Sequence, residues 1–308
     1  MLQILVTAIA GLIGLVFGSF LNVCASRWPA GENIIRPRSH CRHCGHTLAW
    51  WENVPVLSWL ALRGRCHHCR AWIGWRYPVV ELAVGVAWGV SAWQAMNEYL
   101  SPQATAPTIF DATAFCVLKM ILSWLLICIA VVDVEHLWLP DWLTLGGAAL
   151  GLPLTLARFS VEWFWVSFPL HWSLEGNSWG NRRTHLFDTV VAWALGIVAF
   201  PFLIFLIRWV YSNLRGREGI GLGDIKLMIL LAIWLGWSRT LLAYFLGIVL
   251  GAVIALVVVM RPSLRNRTEH WAFTKLPLGA FLCIGGIVSA LWGSQIIAAY
   301  LEVCGFGF

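Results

Sequence analysis

Residues 2–26 read LQILVTAIAGLIGLVFGSFLNVCAS, a stretch without any charged side chain. A helix needs roughly 20 mainly apolar residues to cross the hydrocarbon core of a bilayer. The stretch therefore predicts a membrane-spanning first helix. The preceding start, Met1-Leu2-Gln3, has no basic residue, and no small-residue cleavage site follows the apolar run. We therefore expect a retained helix rather than a signal peptide.

The composition of the whole chain indicates the same class of protein. Of 308 residues, 59% are hydrophobic and 12% are charged, and the mean hydropathy is +0.75. Soluble domains carry roughly a quarter charged residues. A chain this apolar cannot cover its surface with polar groups, which excludes soluble, disordered and nucleic-acid-binding proteins despite the formal charge of +6. We predict an all-α polytopic membrane protein.

Further uncharged stretches bring the expected number of transmembrane helices to about eight. The sixth stretch is short, so seven and nine helices remain alternatives. The expected spans are 2–26, 78–97, 111–132, 141–157, 188–210, 224–237, 240–260 and 276–301.

The basic residues predict how these helices are oriented. Fifteen Lys and Arg residues lie on one side of the membrane, in the segments 27–77, 208–217 and 261–275, and four lie on the other side. Basic residues are enriched in cytoplasmic loops. The richer side is therefore expected to be the cytoplasm, with both termini outside.

The loop at 27–77 carries two Cys-x-x-Cys pairs. The first is Cys41-Arg-His-Cys44 and the second is Cys66-His-His-Cys69, with 21 residues between them. This pattern is typical of a tetrahedral four-thiolate zinc site, which has no open position, so we expect a structural metal. Free or redox-active cysteines are the alternative, although a reducing cytoplasm argues against stable disulfides. We expect the nearby histidines to surround the site without ligating the metal: His43, His46, His67 and His68.

Two acidic residues are predicted at the cytoplasmic edge of the bilayer. Asp133 ends the third span and Asp224 begins the sixth. Two partly dehydrated carboxylates close together would share a proton, because like charges do not both ionise easily in a low dielectric. One could act as a base on water while the other polarises a carbonyl, the arrangement of aspartyl proteases. Glycines at 219, 221 and 223 would let a backbone approach Asp224 closely.

These features also have plainer interpretations. An Asp at a helix start is a common N-cap, which fits Asp141 and partly Asp224. Asp133 could be a solvated charge at the membrane interface. The glycine run at 219–223 matches part of a nucleotide-binding loop, but no preceding strand or βαβ unit is predicted. The residues by themselves leave a catalytic pair and structural acids as alternatives.

Taken together, the motifs resemble those of the type IV prepilin peptidases. These are bifunctional leader peptidase/N-methyltransferases of bacterial inner membranes, and they belong to the GxGD aspartyl proteases. The similarity covers nearly the whole chain, and by this resemblance Asp133 and Asp224 are the catalytic aspartates. Besides the cysteine pairs, it rests on Gly18-Ser-Phe-Leu-Asn-Val23, WENVPVLSWLAL at 51–62, Arg76-Tyr-Pro-Val-Val-Glu81, Asp133 with Leu139-Pro140-Asp141, and Gly221-Leu-Gly-Asp-Ile-Lys226.

The resemblance implies an endopeptidase that cleaves the basic leader of type IV prepilins or pseudopilins after a glycine at the cytoplasmic face. N-methylation of the new N-terminal residue by S-adenosylmethionine follows. The residues that bind this methyl donor are unknown, with Glu81 and Asn22 as candidates. Glu81 would orient the amine or pair with a basic group, and helix packing is the alternative role. Other implied partners are membrane lipid and components of pilus or type II secretion assembly, and no nucleic acid is expected.

The same resemblance divides the chain into three parts. Residues 1–26 are the first transmembrane helix, 27–77 are a cytoplasmic zinc-binding domain resembling a zinc ribbon, and 78–308 are an aspartyl peptidase core of about seven helices. The protein is expected in the bacterial inner membrane with periplasmic termini. Two stretches depart from the family pattern: the tryptophan-rich outer loop at 159–187 is long, and Lys275-Leu-Pro-Leu-Gly-Ala280 is a looser version of a Pro-Phe-Gly-Pro stretch.

Three other functions remain as alternatives. A peptidase without methyltransferase activity would keep both aspartates. A transporter would also use buried acids, but it should show internal repeats, and the halves of this sequence have no convincing symmetry. A thiol-redox protein should have its reactive cysteines facing an oxidising compartment rather than the cytoplasm.

Overall fold

The computed structural model describes residues 1–102, 106–167, 178–216, 221–260 and 277–305. Helices form almost all of its regular structure, and no strand is found within these ranges. They are α1 (Leu2–Arg27), a 3-10 helix (Trp50–Asn53), α2 (Leu57–Ala61), α3 (Arg76–Tyr99), α4 (Ala106–His136), α5 (Asp141–Ser167), α6 (Ser178–Arg215), α7 (Leu222–Leu235), α8 (Trp237–Met260) and α9 (Leu278–Val303).

Seven helices in the described part of the chain are long and apolar enough to cross a membrane: α1, α3, α4, α5, α6, α8 and α9. The predicted class, an all-α polytopic membrane protein, is thereby confirmed. The expected sixth span is α7, which has 14 residues and falls short of the roughly 20 that a span requires. Leu227, Leu230 and Leu231 on α7 have no exposed surface, so this helix is surrounded by protein.

The tryptophan-rich segment at 159–187 is more helical than a long outer loop would be. Helix α5 extends to Ser167 and α6 begins at Ser178. Residues 168–177 lie outside the described residues, as do Gly219 and Lys275. The functional interpretations of those positions stay predictions.

Glycines bring the backbones of α1 and α3 into direct contact. A Cβ added at Gly18 would lie 2.6 Å from Glu81 Cα, and one added at Gly14 would lie 2.9 Å from Gly85 Cα. Neither position therefore has room for a side chain. Small residues allow such close approach of membrane helices. The C-terminal part of α1, which carries Asn22, is thus fixed against the beginning of α3.

Close contacts also fix α7 between α5 and α9. A Cβ at Gly147 on α5 would lie 2.8 Å from Leu230 Cδ1 on α7. A Cβ at Gly286 on α9 would lie 2.8 Å from Leu231 Cδ2 on the same helix. Interiors packed this densely resist small displacements. The beginning of α7, which carries Asp224, therefore has a fixed position relative to both neighbours.

Residues 28–75, between α1 and α3, form a small domain with little regular structure. Two hairpin turns close at isolated β-bridges, one between His40 and Thr47 and one between Arg65 and Trp72. Each turn encloses one Cys-x-x-Cys pair.

Candidate functional site

The four cysteines of the paired motifs come together in one cluster. The sulfur atoms of Cys41, Cys44, Cys66 and Cys69 all lie within 4.8 Å of one another. The Cys41 and Cys69 sulfurs are 3.8 Å apart. A tetrahedron with Zn–S bonds of about 2.3 Å has edges of about 3.8 Å, so the cluster fits a zinc ion.

Backbone hydrogen bonds shape both halves of this cluster in the same way. Cys41 N–H donates to His46 O at 2.9 Å, and Cys66 N–H donates to Ala71 O at 2.9 Å.

Burial opposes ionisation of the Cys41 thiol. Hydrogen bonds from the Cys44 and His43 backbone and from neighbouring thiols nevertheless lower its pKa to about 6. These hydrogen bonds thus favour the thiolate form of Cys41, which is the form that ligates a metal.

The neighbouring histidines make other contacts. The His46 ring stacks on His68 with 5.1 Å between centroids, and the His67 ring lies edge-on to Trp51 at 5.2 Å. His46 Nε2 also lies 3.6 Å from Glu52 Oε2. The cluster of four cysteines contains no histidine among the described residues.

Asp133 lies in the last turn of α4 and is 5% exposed. Its Oδ2 accepts a hydrogen bond of 2.8 Å from the Ala280 N–H, in the first turn of α9. The first amide groups of a helix have no partner within that helix. Asp133 therefore caps a helix that lies 147 residues away in sequence.

Asp224 lies in the first turn of α7 and is 8% exposed. Its Oδ2 accepts a hydrogen bond of 3.2 Å from the N–H of Gly221, which is extended with φ −71° and ψ 151°. The N-cap of α7 is Gly221, so Asp224 is not the N-cap itself, but its carboxylate caps the helix by binding the N-cap amide. This contact leaves a chemical role open, because within the described part of the chain it involves only one of the two carboxylate oxygens.

The side chain of Leu139 lies beside the backbone next to both aspartates. A Cβ at Gly223 would lie 2.9 Å from Leu139 Cδ1, and a Cβ at Gly279 would lie 3.1 Å from the same atom. That second Cβ would also lie 2.9 Å from Asp133 Oδ2. The structure thus brings the two predicted catalytic residues into one buried site.

Asp141, the third acid of the predicted motifs, is placed differently. Its side chain is 65% exposed and its Oδ1 accepts a hydrogen bond of 2.5 Å from Lys226 Nζ. This ion pair joins the first turn of α5 to the second turn of α7. Asp141 therefore supports the helix that carries Asp224 without sharing its buried environment.

Glu81 and Asn22, the candidates for methyl-donor binding, lie where α1 meets α3. Glu81 is buried, and its Oε2 accepts a hydrogen bond of 2.7 Å from Val56 N–H in the small domain. Asn22 Nδ2 donates to Tyr77 O at 3.0 Å, while its buried Oδ1 has no hydrogen-bond partner among the described residues. Polar atoms of this kind are usually satisfied in folded proteins. Asn22 Oδ1 is therefore available to a water or a ligand.

Some contacts around these sites could not be found from the sequence. The Ala280 amide that binds Asp133 has no side-chain signature, although it lies in the stretch resembling Pro-Phe-Gly-Pro. Arg76 Nη1 binds both Glu135 carboxylate oxygens, at 2.7 and 2.8 Å. This ion pair joins α3 to the end of α4 beside Asp133. The sequence shows that both residues are charged, but not that they form a pair.

Comparisons with known proteins agree with the motifs. Residues 12–95 match the bacterial peptidase A24 N-terminal domain, and residues 120–256 match the type IV leader peptidase family. Relatives named prepilin leader peptidase/N-methyltransferase include one from Stutzerimonas stutzeri, 34% identical over 94% of this chain and 92% of the relative. One from Pseudomonas aeruginosa is 31% identical over 96% and 93%, and one from Aeromonas hydrophila is 31% identical over 94% and 92%.

No solved structure matches the chain. The predicted resemblance and the predicted enzyme class are confirmed by the family matches and by relatives that align along almost the full length. The chain belongs to the type IV leader peptidase family.

Proposed function

We propose that this protein is an intramembrane aspartyl endopeptidase and N-methyltransferase. It removes the basic leader of type IV prepilins or pseudopilins after a glycine, and then methylates the new N-terminal amine with S-adenosylmethionine. The observation that carries the proposal is the pair of buried carboxylates, Asp133 and Asp224, which share one site around Leu139.

The two carboxylates suit hydrolysis of a peptide bond without a metal. One, ionised, removes a proton from water, while the other, protonated, donates a hydrogen bond to the scissile carbonyl. The resulting tetrahedral intermediate collapses when a proton reaches the leaving amine. Bonds from Ala280 N–H to Asp133 and from Gly221 N–H to Asp224 hold each carboxylate in place. Each still has a second oxygen for the reaction.

The backbone before Asp224 offers a place for an extended substrate. Gly221 is extended and carries no side chain, so a substrate strand could approach the acid closely. The substrate's glycine at the cleavage position would reduce crowding further.

The distribution of basic residues supports a reaction at the cytoplasmic face of the bacterial inner membrane, with both termini in the periplasm. A basic leader would then stay in the cytoplasm while the apolar pilin stem lies in the bilayer. We expect further contacts with pilus or type II secretion components.

Zinc would have a structural role in the domain of residues 27–77. The four thiolates of the cluster complete a tetrahedral shell, which leaves no position for substrate. The metal would hold the two hairpin turns together.

Replacing each acid with its amide tests the proposal. Asp133→Asn and Asp224→Asn keep the side-chain size, and each should lower the rate of prepilin cleavage at least about 100-fold, the usual effect of losing an acid or base. The matched control is Asp111→Asn, in the partly exposed ion pair with Arg158 at the other end of α4 from Asp133, which should cleave normally. Leader removal is followed with purified protein in nanodiscs and a synthetic prepilin, together with zinc content as a folding check.

Normal cleavage by either buried-site variant would refute the two-aspartate mechanism. Methylation of pre-cleaved pilin by these variants would show that the two activities use separable sites. Cleavage without any methylation by the wild-type protein would identify a peptidase that lacks the second activity.

A further inference from the structure

One segment of the small domain exposes several large apolar side chains. Within residues 50–61, Trp50 is 80% exposed, Leu57 is 65% exposed and Leu60 is 59% exposed. Exposed apolar surface of this kind marks a contact with another protein or with a membrane. The polar residues of the segment, and its depth along the neighbouring helices, distinguish these two partners.

The buried side chains of the same segment include polar ones. Glu52 and Ser58 are both buried. Glu52 Oε2 accepts a hydrogen bond of 2.7 Å from Ala49 N–H, and the Ser58 hydroxyl donates to Trp51 O at 2.8 Å and to Val54 O at 2.6 Å. Glu and Ser are mostly exposed on proteins that face water. Apolar side chains outside and polar side chains inside are the arrangement that suits a lipid environment.

A hydrogen bond fixes the depth of this segment beside α3. Val56 N–H donates to Glu81 Oε2 at 2.7 Å. Glu81 lies five residues after Arg76, where α3 begins, which is about 7.5 Å along the helix at a rise of 1.5 Å per residue. Val79 and Leu82, on the same part of α3, are exposed apolar residues of a membrane-spanning helix. The segment therefore lies alongside the span and not beyond its end.

Contacts with α1 give a similar depth. Trp50 and Val54 line a cavity together with Val16 and Phe20 of α1. Phe20 lies seven residues before Arg27, the first charged side chain of the chain, which is about 10 Å along the helix. Both neighbouring helices thus place the segment deeper in the membrane than their terminal arginines.

Tryptophans lie between this segment and the beginning of α3. The Trp59 ring packs against Trp72 and Trp75, with centroid distances of 5.8 and 4.4 Å. Trp72 and Trp75 are exposed, and Trp75 directly precedes α3. Tryptophan is enriched where a membrane meets water, because its ring is apolar and its N–H is polar. The cluster therefore lies at the level expected for the surface of the bilayer.

Three exposed arginines follow the segment: Arg63, Arg65 and Arg70. Arg63 N–H donates to Leu60 O at 3.1 Å, and Arg65 forms a β-bridge with Trp72, so these two arginines lie next to the apolar residues. Within the described part of the chain, none of the three forms an ion pair. Basic residues beside a span attract anionic lipid headgroups.

We propose that residues 50–61 are immersed in the lipid leaflet that surrounds the end of α1 and the beginning of α3. Trp50, Leu57 and Leu60 contact acyl chains, and the three arginines bind anionic phospholipid headgroups. The small domain is thus held by lipid as well as by its connections to the two helices. Lipid contact of this kind requires neither of the proposed activities.

Photolabelling from the bilayer tests the acyl-chain contact. Full-length, zinc-loaded protein is placed in nanodiscs that contain a phospholipid with a diazirine in its acyl chain. Illumination should label residues 50–61 as well as the exposed part of α3 around Leu82, which is the positive control. The double variant Leu57→Asp with Leu60→Asp should lose at least about tenfold of the label in 50–61, because acids are costly at membrane depth. The matched control Leu60→Met stays apolar and should keep the label.

The headgroup contact is tested with the same label on an anionic and on a neutral phospholipid. The anionic lipid should label residues 50–75 more strongly. Arg63→Gln should reduce this preference by up to about fivefold, the enrichment expected from one arginine near an anionic surface. The matched control is Arg42→Gln, an exposed arginine of the other hairpin turn, which should leave the preference unchanged.

Labelled α3 without any label in 50–61 would overturn the proposal. So would equal labelling of the wild-type protein and the double Asp variant when both retain zinc. If 50–61 is shielded only in nanodiscs that hold two copies of the protein, a second chain covers this surface and the lipid contact is wrong. Equal labelling by the two lipids, or equal effects of Arg63→Gln and Arg42→Gln, would overturn the role of the arginines.

Discussion

A methyl group added at Gly279 would disturb the proposed catalytic pair directly. The new Cβ of Gly279→Ala would lie 2.9 Å from Asp133 Oδ2 and 3.1 Å from Leu139 Cδ1. Ordinary contacts of this kind begin at 3.4 Å, so the carboxylate must move by about 0.5 Å. A displacement of about 1 Å in an active site can cost about 100-fold in rate, so half of that predicts roughly a tenfold loss of kcat for cleavage.

The assay measures kcat and KM for leader removal from a synthetic prepilin by protein in nanodiscs. The matched control is Gly146→Ala on α5, where an added Cβ meets nothing within 4 Å. It should cleave normally and be slightly more stable, because Ala is a better helix former than Gly. Methylation of pre-cleaved pilin by Gly279→Ala should be unaffected.

A result within twofold of wild type for Gly279→Ala, with the protein fully folded, would refute this reasoning. It would show either that Asp133 tolerates the displacement or that its carboxylate takes no part in cleavage. The Asp133→Asn variant separates these outcomes.

Three further predictions concern the framework around the sites. Cys66→Ser should release zinc, measured by elemental analysis, and increase hydrogen exchange at 39–73, while unchanged zinc content would exclude the four-cysteine site. Gly18→Ala should lower the free energy of unfolding by about 1–3 kcal/mol, because its Cβ would lie 2.6 Å from Glu81 Cα. Gly11→Ala, whose Cβ would have its nearest contact at 3.5 Å, should leave the free energy of unfolding unchanged. Glu135→Gln breaks the partly exposed pair with Arg76 and should cost no more than about 1 kcal/mol in a denaturation experiment.

The sequence predicted the membrane-spanning helices well, because absence of charge over about 20 residues is a strong physical requirement for a span. The four-cysteine cluster was equally predictable, since metal ligation fixes both residue type and spacing. The short α7 shows the limit of this reasoning. A helix surrounded by other helices does not have to match the thickness of the lipid.

The placement of Asp133 and Asp224 in one site could be predicted, because both lie at helix ends on the same predicted side of the membrane. The hydrogen bonds that hold them could not. Ala280 contributes only its backbone amide to Asp133, and Val56 contributes only its amide to Glu81. Every residue except proline carries this group, so nothing in the sequence distinguishes these two positions.

The hydrogen bond between Asp133 and Ala280 also has a consequence for biosynthesis. Membrane helices enter the bilayer as the chain emerges, and α9 is the last of them in the described residues. A nascent chain that has reached only α8 already contains both aspartates but lacks the amide that holds one of them. The protease would therefore gain its final geometry late in synthesis, and fragments truncated before residue 280 would stay inactive.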